Sequence, residues 1–168
     1  MMTNLEWPLH ALRTFPATLQ SCIAGLPHDA LDWRPASWEG IPSEMLTIRQ
    51  QVCHLRDIEA DGYLLRFRRL LDEVDPTLES IDTYALVEPR GYDRTNVDRA
   101  FAEFSAARTQ TLELLAALKP GDLERRGQFE GYGAVTVASL IHYLCSHDQQ
   151  HLAGIQWLLG ARAAAPNN

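Results

Sequence analysis

The sequence predicts an all-α fold, a four-helix bundle with long crossing loops. Two observations carry that prediction: four long segments repeat their apolar residues at helical period, and no stretch shows the two-residue alternation of a half-buried strand. A third sets the topology. The connections after the first and second segments are long enough to cross an end of the bundle, so an up-down-up-down order is not guaranteed.

The first helix is expected over residues 4–25, with a kink at Pro16 or a restart after Thr14, because proline is tolerated only near a helix start. Gly25, Pro27, Trp33, Pro35, Trp38, Gly40 and Pro42 then mark a loop. Two tryptophans in so long a connection imply that it packs back on the body as a hydrophobic plug over the bundle end rather than as a ligand contact. The second helix starts near Thr47, whose spacing to Gln50 allows a capping box, and runs to about Val74, where Asp75-Pro76 stops it. Within it Arg66, Arg68 and Arg69 stand among acidic residues and read as a solvated face. Residues 76–95 form a polar, proline-bearing connection. The third helix spans about Asn96 to Lys119, with Phe101, Phe104, Arg108, Leu112, Leu115 and Leu118 on one side, and Pro120-Gly121 ends it. A glycine-bearing stretch with Gly127, Gly131, Tyr132 and Gly133 leads to Thr136, a good N-cap for a last helix reaching Gly160. The tail AAAPNN reads as loose.

The 168 residues make one domain, 1–168, large enough for a single core. A hydrophobic fraction of 46% and a charged fraction of 22% are those of a soluble globular protein. A net charge of -7 and a pI near 5.3 argue against nucleic-acid binding, which needs a basic face. The N-terminal MMTNLEWPLHALRTFP lacks a basic start with an apolar run, and no stretch reaches the ~18 apolar residues of a membrane span, so neither export nor a membrane is expected. Cys22, Cys53 and Cys145, odd in number and far apart, fit a reducing cytoplasm.

Chemistry concentrates in the last helix. Val137, Leu140, Leu144, His147, His151, Ile155 and Leu158 form an apolar seam into which two histidines are set. Four residues apart, the rings lie one above the other, close enough to bind one metal ion. The same spacing also admits two buried, hydrogen-bonded core histidines, or a pair at a wet boundary. Cys145 points about 200° away from His147 and is a poor partner for it. His54 shares a line with Ile58 and Leu65 and turns inward, although the main apolar arc of its helix, with Val52, Tyr63, Phe67 and Leu70, is on the other side. Taken alone it reads as an ordinary partly buried histidine.

Several sites are excluded. A di-iron carboxylate centre needs Glu-x-x-His on two helices, whereas position 51 is Gln, 144 is Leu and 148 is Asp. His147-Asp148-Gln149-Gln150-His151 approaches the zinc-peptidase pattern, but aspartate is one methylene short for the usual general base. No nucleophile elbow of the G-x-S-x-G type occurs. What remains is a mononuclear site in which His54 joins the pair.

The W-R-P-x-x-x-W loop (Trp33 to Trp38), the helix with His54 followed by Leu-x-Asp (to Asp57), Y-G-x-V-T (Tyr132 to Thr136) and His-Asp-x-x-His-Leu (His147 to Leu152) together resemble the DinB-like, or YfiT-like, family of small four-helix proteins. The likeness spans nearly the whole chain in the family's order. It implies that His54, His147 and His151 bind one divalent metal, nickel or zinc, that the protein is a homodimer, and that the metal works with a low-molecular-weight thiol, as in transferases or isomerases.

Three neutral imidazoles leave such an ion its full charge and an open position, where a thiol ionises or a water is acidified. Thiol S-transfer or isomerisation on a small-molecule substrate is the first expectation, a metal-dependent hydrolase the second, and a non-catalytic metal or ligand binder of a stress response the third. Asp57, Asp61 and Asp148 are the nearby carboxylates expected to hold the rings. Tyr63, Tyr143 and Arg108 are candidates to line a pocket, though nothing in their spacing selects them.

Overall fold

The computed structural model describes residues 5–165, so the expected helix start at residue 4 and the last residues of the tail lie outside it. Helix α1 (Glu6–Ile23) passes through Pro16 without a break. Proline cannot supply the N–H that Leu12 O, four residues earlier, would otherwise accept. Arg108 Nη1 donates to that carbonyl instead, at 3.2 Å. The restart expected after Thr14 is therefore absent.

A short α2 (His28–Leu31) follows, and Trp33, Trp38 and Ile41 of the connection pack against the apolar cluster at that end of the bundle. Thr47 caps α3 (Ile48–Asp57) through a capping box with Gln50, as its spacing predicts. The long second helix is not uniform. A π-helical segment, Ile58–Tyr63, separates α3 from α4 (Leu64–Asp72), and such bulges re-aim side chains. Here Ile58 and the adjacent Glu59 are both buried. Arg66, expected on a solvated face, is also buried: its guanidinium lies 4.5 Å from the Phe129 ring centre and donates to Glu79 O.

The connection to the third long helix holds β1 (Thr77–Leu78), α5 (Thr83–Val87) and a 3-10 turn at Tyr92–Arg94. Asn96 caps α6 (Val97–Ala116). After a second 3-10 turn, β2 (Arg126–Phe129) and β3 (Gly133–Thr136) lead to α7 (Val137–Ala164), capped by Thr136. The expectation of no strand is corrected: β1 pairs parallel to β2, and β2 antiparallel to β3. Leu78, Phe129 and Val135 turn inward from this sheet to close one end of the core.

Two apolar clusters fill the bundle. One holds Leu12, Ile58, Phe67, Leu115, Leu140 and Leu144; the other Phe15, Leu19, Val52, Phe104, Ile155 and Leu158. Their order along each helix gives the topology. α1 and α7 run from the first cluster to the second, while α3–α4 and α6 run the opposite way. The order is thus up, down, down, up, with α1 packed on α7 and α3 on α6. Only residues 73–96 must travel the length of the bundle, from Leu78 in one cluster to Tyr92 in the other. Between the clusters lies a polar layer: His54 and Glu59, Arg108 and Thr111, and His147, Asp148 and His151.

Candidate metal centre

That layer brings together the three histidines named from the sequence. His54 and His151 are 1% and 0% exposed, and His147 is partly exposed. The Nε2 atoms of His54 and His147 lie 3.2 Å apart, and one ring nitrogen from each residue falls within 4.8 Å of the other two. Without metal the His54–His147 contact is a hydrogen bond between the two rings. Donors bonded to one tetrahedral ion at about 2.0–2.1 Å sit about 3.3 Å from one another, so the same 3.2 Å separation also suits two ligands on a shared ion.

Neighbouring groups leave lone pairs facing inward. Gln51, one turn before His54, places Oε1 3.1 Å from His151 Nδ1, and its Nε2 donates to Leu46 O at 3.3 Å. A carbonyl only accepts, so the amide orientation is settled and Nδ1 of His151 must carry the proton. Its Nε2 is then a free lone pair, buried and without a hydrogen-bond donor. Glu44 Oε2 lies 3.3 Å from that nitrogen and is likewise buried and unpaired. Buried orphans of this kind are costly. A cation among them would satisfy several at once, so the residues present fit a divalent ion.

Burial keeps the rings neutral, the form that binds metal. It pushes His54 down to about 4, against the pull of the nearby Asp57 carboxylate, and holds His151 and His147 well below the usual 6.5, with help from the neighbouring rings. In metal-free protein an unfolded chain takes up a proton on each ring below about 6.5, whereas folded His54 does so only near 4. Stability from these rings is therefore complete above pH 6.5 and lost as pH falls toward 4. Asp148 opposes this. Burial raises its carboxyl to about 6, so its contribution is complete below 3.8 and lost as pH rises through 6. Three rings set against one carboxyl leave a net loss of stability as pH falls below 6.5. Urea midpoints of chelator-treated protein should fall steeply between pH 7 and 5; a flat profile would mean that the rings are not held neutral.

The expected ring-holding carboxylates are engaged elsewhere. Asp57 accepts from Tyr92 Oη and Arg56 Nε, each at 2.7 Å. Asp61 pairs with Arg90 at 2.7 Å near the surface. Asp148 receives both Nη atoms of Arg108, at 2.7 and 2.9 Å, while Arg108 also donates to Glu59 at 2.8 Å and Thr111 to Glu59 at 2.5 Å. Arg108 is thus the centre of a buried ion cluster rather than a pocket wall. Tyr63 places its ring 5.8 Å from that of His147, while Tyr143 packs on Tyr132. The groups that do touch a ring, Gln51 and Glu44, were not selected from the sequence. Gln51 carried a signal, being on the His54 face one turn earlier; Glu44 sits in an aperiodic loop and carried none. A groove of about 660 Å³ beside the sheet, lined by Arg125, Arg126, Gln128 and Ser139 among others, shares no residue with the histidine cluster.

A bundle of this topology with three inward histidines on its second and fourth long helices defines a class, and sequence comparison names it. The chain belongs to the DinB superfamily, whose family model matches residues 11–155. A protein of Bacillus mycoides (strain KBAB4) named "Putative metal-dependent hydrolase" is 25% identical over 152 residues, covering 89% of this chain and 82% of that protein. The solved structure of YfiT from Bacillus subtilis, described as "a probable metal-dependent hydrolase with an unusual four-helix bundle topology", matches with a TM-score of 0.84 and 21% identity over 98% of this chain and 92% of that one. Among the described residues no helix is long and apolar enough to cross a membrane.

Proposed function

We propose that the protein is a divalent-metal-dependent enzyme that holds one ion through His54, His147 and His151 and acts on a small molecule. The observation that supports this most is the convergence of three neutral ring nitrogens on one point, with the His151 tautomer set by Gln51. Imidazole donors suit zinc and nickel. Bound there, the ion would supply a Lewis acid that lowers the pKa of a water or thiol at its open position. The protein's own part is to present lone pairs, keep the rings aligned and hold the site between two apolar clusters. The names of both relatives favour hydrolysis. S-transfer or isomerisation with a low-molecular-weight thiol, which the family resemblance implies, uses the same donor set and is the second reading.

Protein purified without an affinity tag is expected to carry, or to take up on reloading, about one zinc or nickel ion per chain. Turnover of ester or amide substrates without thiol would select hydrolysis; turnover only with a thiol and an electrophile would select S-transfer. An occupied site inert in both would leave a non-catalytic binder, and failure to bind either metal would overturn the proposal. A homodimer working in the cytoplasm completes the reading, and sedimentation of the metal-loaded protein tests the dimer.

A further inference from the structure

We infer that Glu44 is a fourth protein ligand of the ion, so that the site is three imidazoles and a carboxylate and the metal fastens the loop between α2 and α3 onto α7. This rests on the three-histidine reading above and extends it; with four protein donors, a water or thiol would reach the ion as a fifth ligand. Glu44 Oε2 lies 3.3 Å from His151 Nε2, close to the separation of two donors on one tetrahedral ion. It stands outside the cluster that the three rings form within 4.8 Å of one another, so the carboxylate must swing toward His54 and His147 to share their ion. Gln51 occupies Nδ1 on the other side of that ring, so the nitrogen Glu44 faces is the one free to bind metal. The carboxylate oxygen is buried with no hydrogen-bond partner. A stray loop side chain would instead turn its carboxylate to water.

The loop is also built to stay there. Ser43 packs directly on Gly154, three residues after His151, where any side chain would collide with Ser43 and with Gln51 Nε2. Met45 N donates to Tyr84 Oη at 3.1 Å, and Leu46 O accepts from Gln51 Nε2 at 3.3 Å. Residues 43–46 are therefore held from three sides, and Gln51 ties the loop and a metal-facing ring together through one amide. A carboxylate from this loop would halve the formal charge that three neutral imidazoles leave on the ion, and would make loop order depend on metal.

The test uses Co²⁺ and Zn²⁺ alone, with the full chain and its Glu44→Gln, Glu44→Ala and His54→Ala variants, read by chelator competition, cobalt visible absorption and amide exchange of residues 43–47. Glu44 is partly exposed and glutamine is isosteric, so both Glu44 variants should fold, which circular dichroism checks. Both are expected to lose at least tenfold in affinity and to shift the cobalt spectrum, and metal should slow exchange of 43–47 in wild type only. Should Glu44→Gln keep wild-type affinity and spectrum while His54→Ala loses metal, Glu44 merely seats the loop; the inference fails and the three-histidine site stands. If wild type binds no metal, or His54→Ala binds as well as wild type, the underlying reading has failed and the inference falls with it.

Discussion

Replacing His147 with alanine is expected to weaken Zn²⁺ binding by roughly 100-fold or more. Structural zinc sites gain about 10–16 kcal/mol from their ligands together, so one donor in three or four accounts for about 3–4 kcal/mol. The cost to the metal-free fold should be modest: His147 is partly exposed, and its removal takes from buried His54 only the one ring-to-ring hydrogen bond. The two effects separate in thermal unfolding. Free metal at about 100 times the dissociation constant adds about 2.7 kcal/mol to a protein that binds only when folded, which for a domain of this size raises Tm by several degrees. That metal-dependent rise should be present in wild type and absent in His147→Ala, with both unfolding at similar temperatures in chelator. His54→Ala should lose the same increment, with an added cost from emptying a site that is 1% exposed. Retention of full metal stoichiometry by both variants would remove the three-histidine centre.

The final helix was readable because its burial is periodic. Of the seven seam positions, all but His147 are buried, and the capping residues Thr47, Asn96 and Thr136 stand where helix starts were placed. What escaped depends on partners distant in sequence. β1 is two residues long and exists only because Pro76 O and Leu78 O accept from Gln128 and Glu130. No local pattern announces such a strand. Arg66 looked solvated among acidic neighbours, but the Phe129 ring that covers it comes from a sheet formed much later in the chain. Pro16 is accommodated because a helix about ninety residues on supplies the missing donor. The histidines were legible as residues, whereas their supports were not: aspartates near them in sequence are drawn off to arginines, and the ring contacts come from an amide and a loop carboxylate.

Arg108→Ala is expected to be the most destabilising single substitution outside the ligands, costing about 3–5 kcal/mol of the ~5–15 kcal/mol typical of a domain. Its guanidinium is buried with Glu59 and Asp148, the exposure of each pair being 1%/1%. Burial works against the charge, and the two carboxylates overcome it, raising the guanidinium's pKa above its usual value. Removing the arginine strands two acidic groups in low dielectric and takes from Leu12 O the donor that Pro16 cannot supply. It also empties the space beside the Phe15 and Phe104 rings, which pack edge to face on each other and whose centres lie 5.7 and 5.1 Å from the guanidinium carbon. Lysine should recover only part of this, since one ammonium cannot span the fork that now reaches Asp148, Glu59 and the helix carbonyl together. A paired change decides between a loss of contacts and a burial of unpaired charge. If stranded carboxylates dominate, Arg108→Met combined with Glu59→Gln and Asp148→Asn should be far more stable than Arg108→Met alone, because neutral amides shed most of the desolvation cost. Urea midpoints at constant m-value measure the four variants against wild type. A loss below ~1 kcal/mol in Arg108→Ala would mean that the polar layer between the two clusters is wet enough to solvate its own charges, and water would then reach the histidines that share that layer.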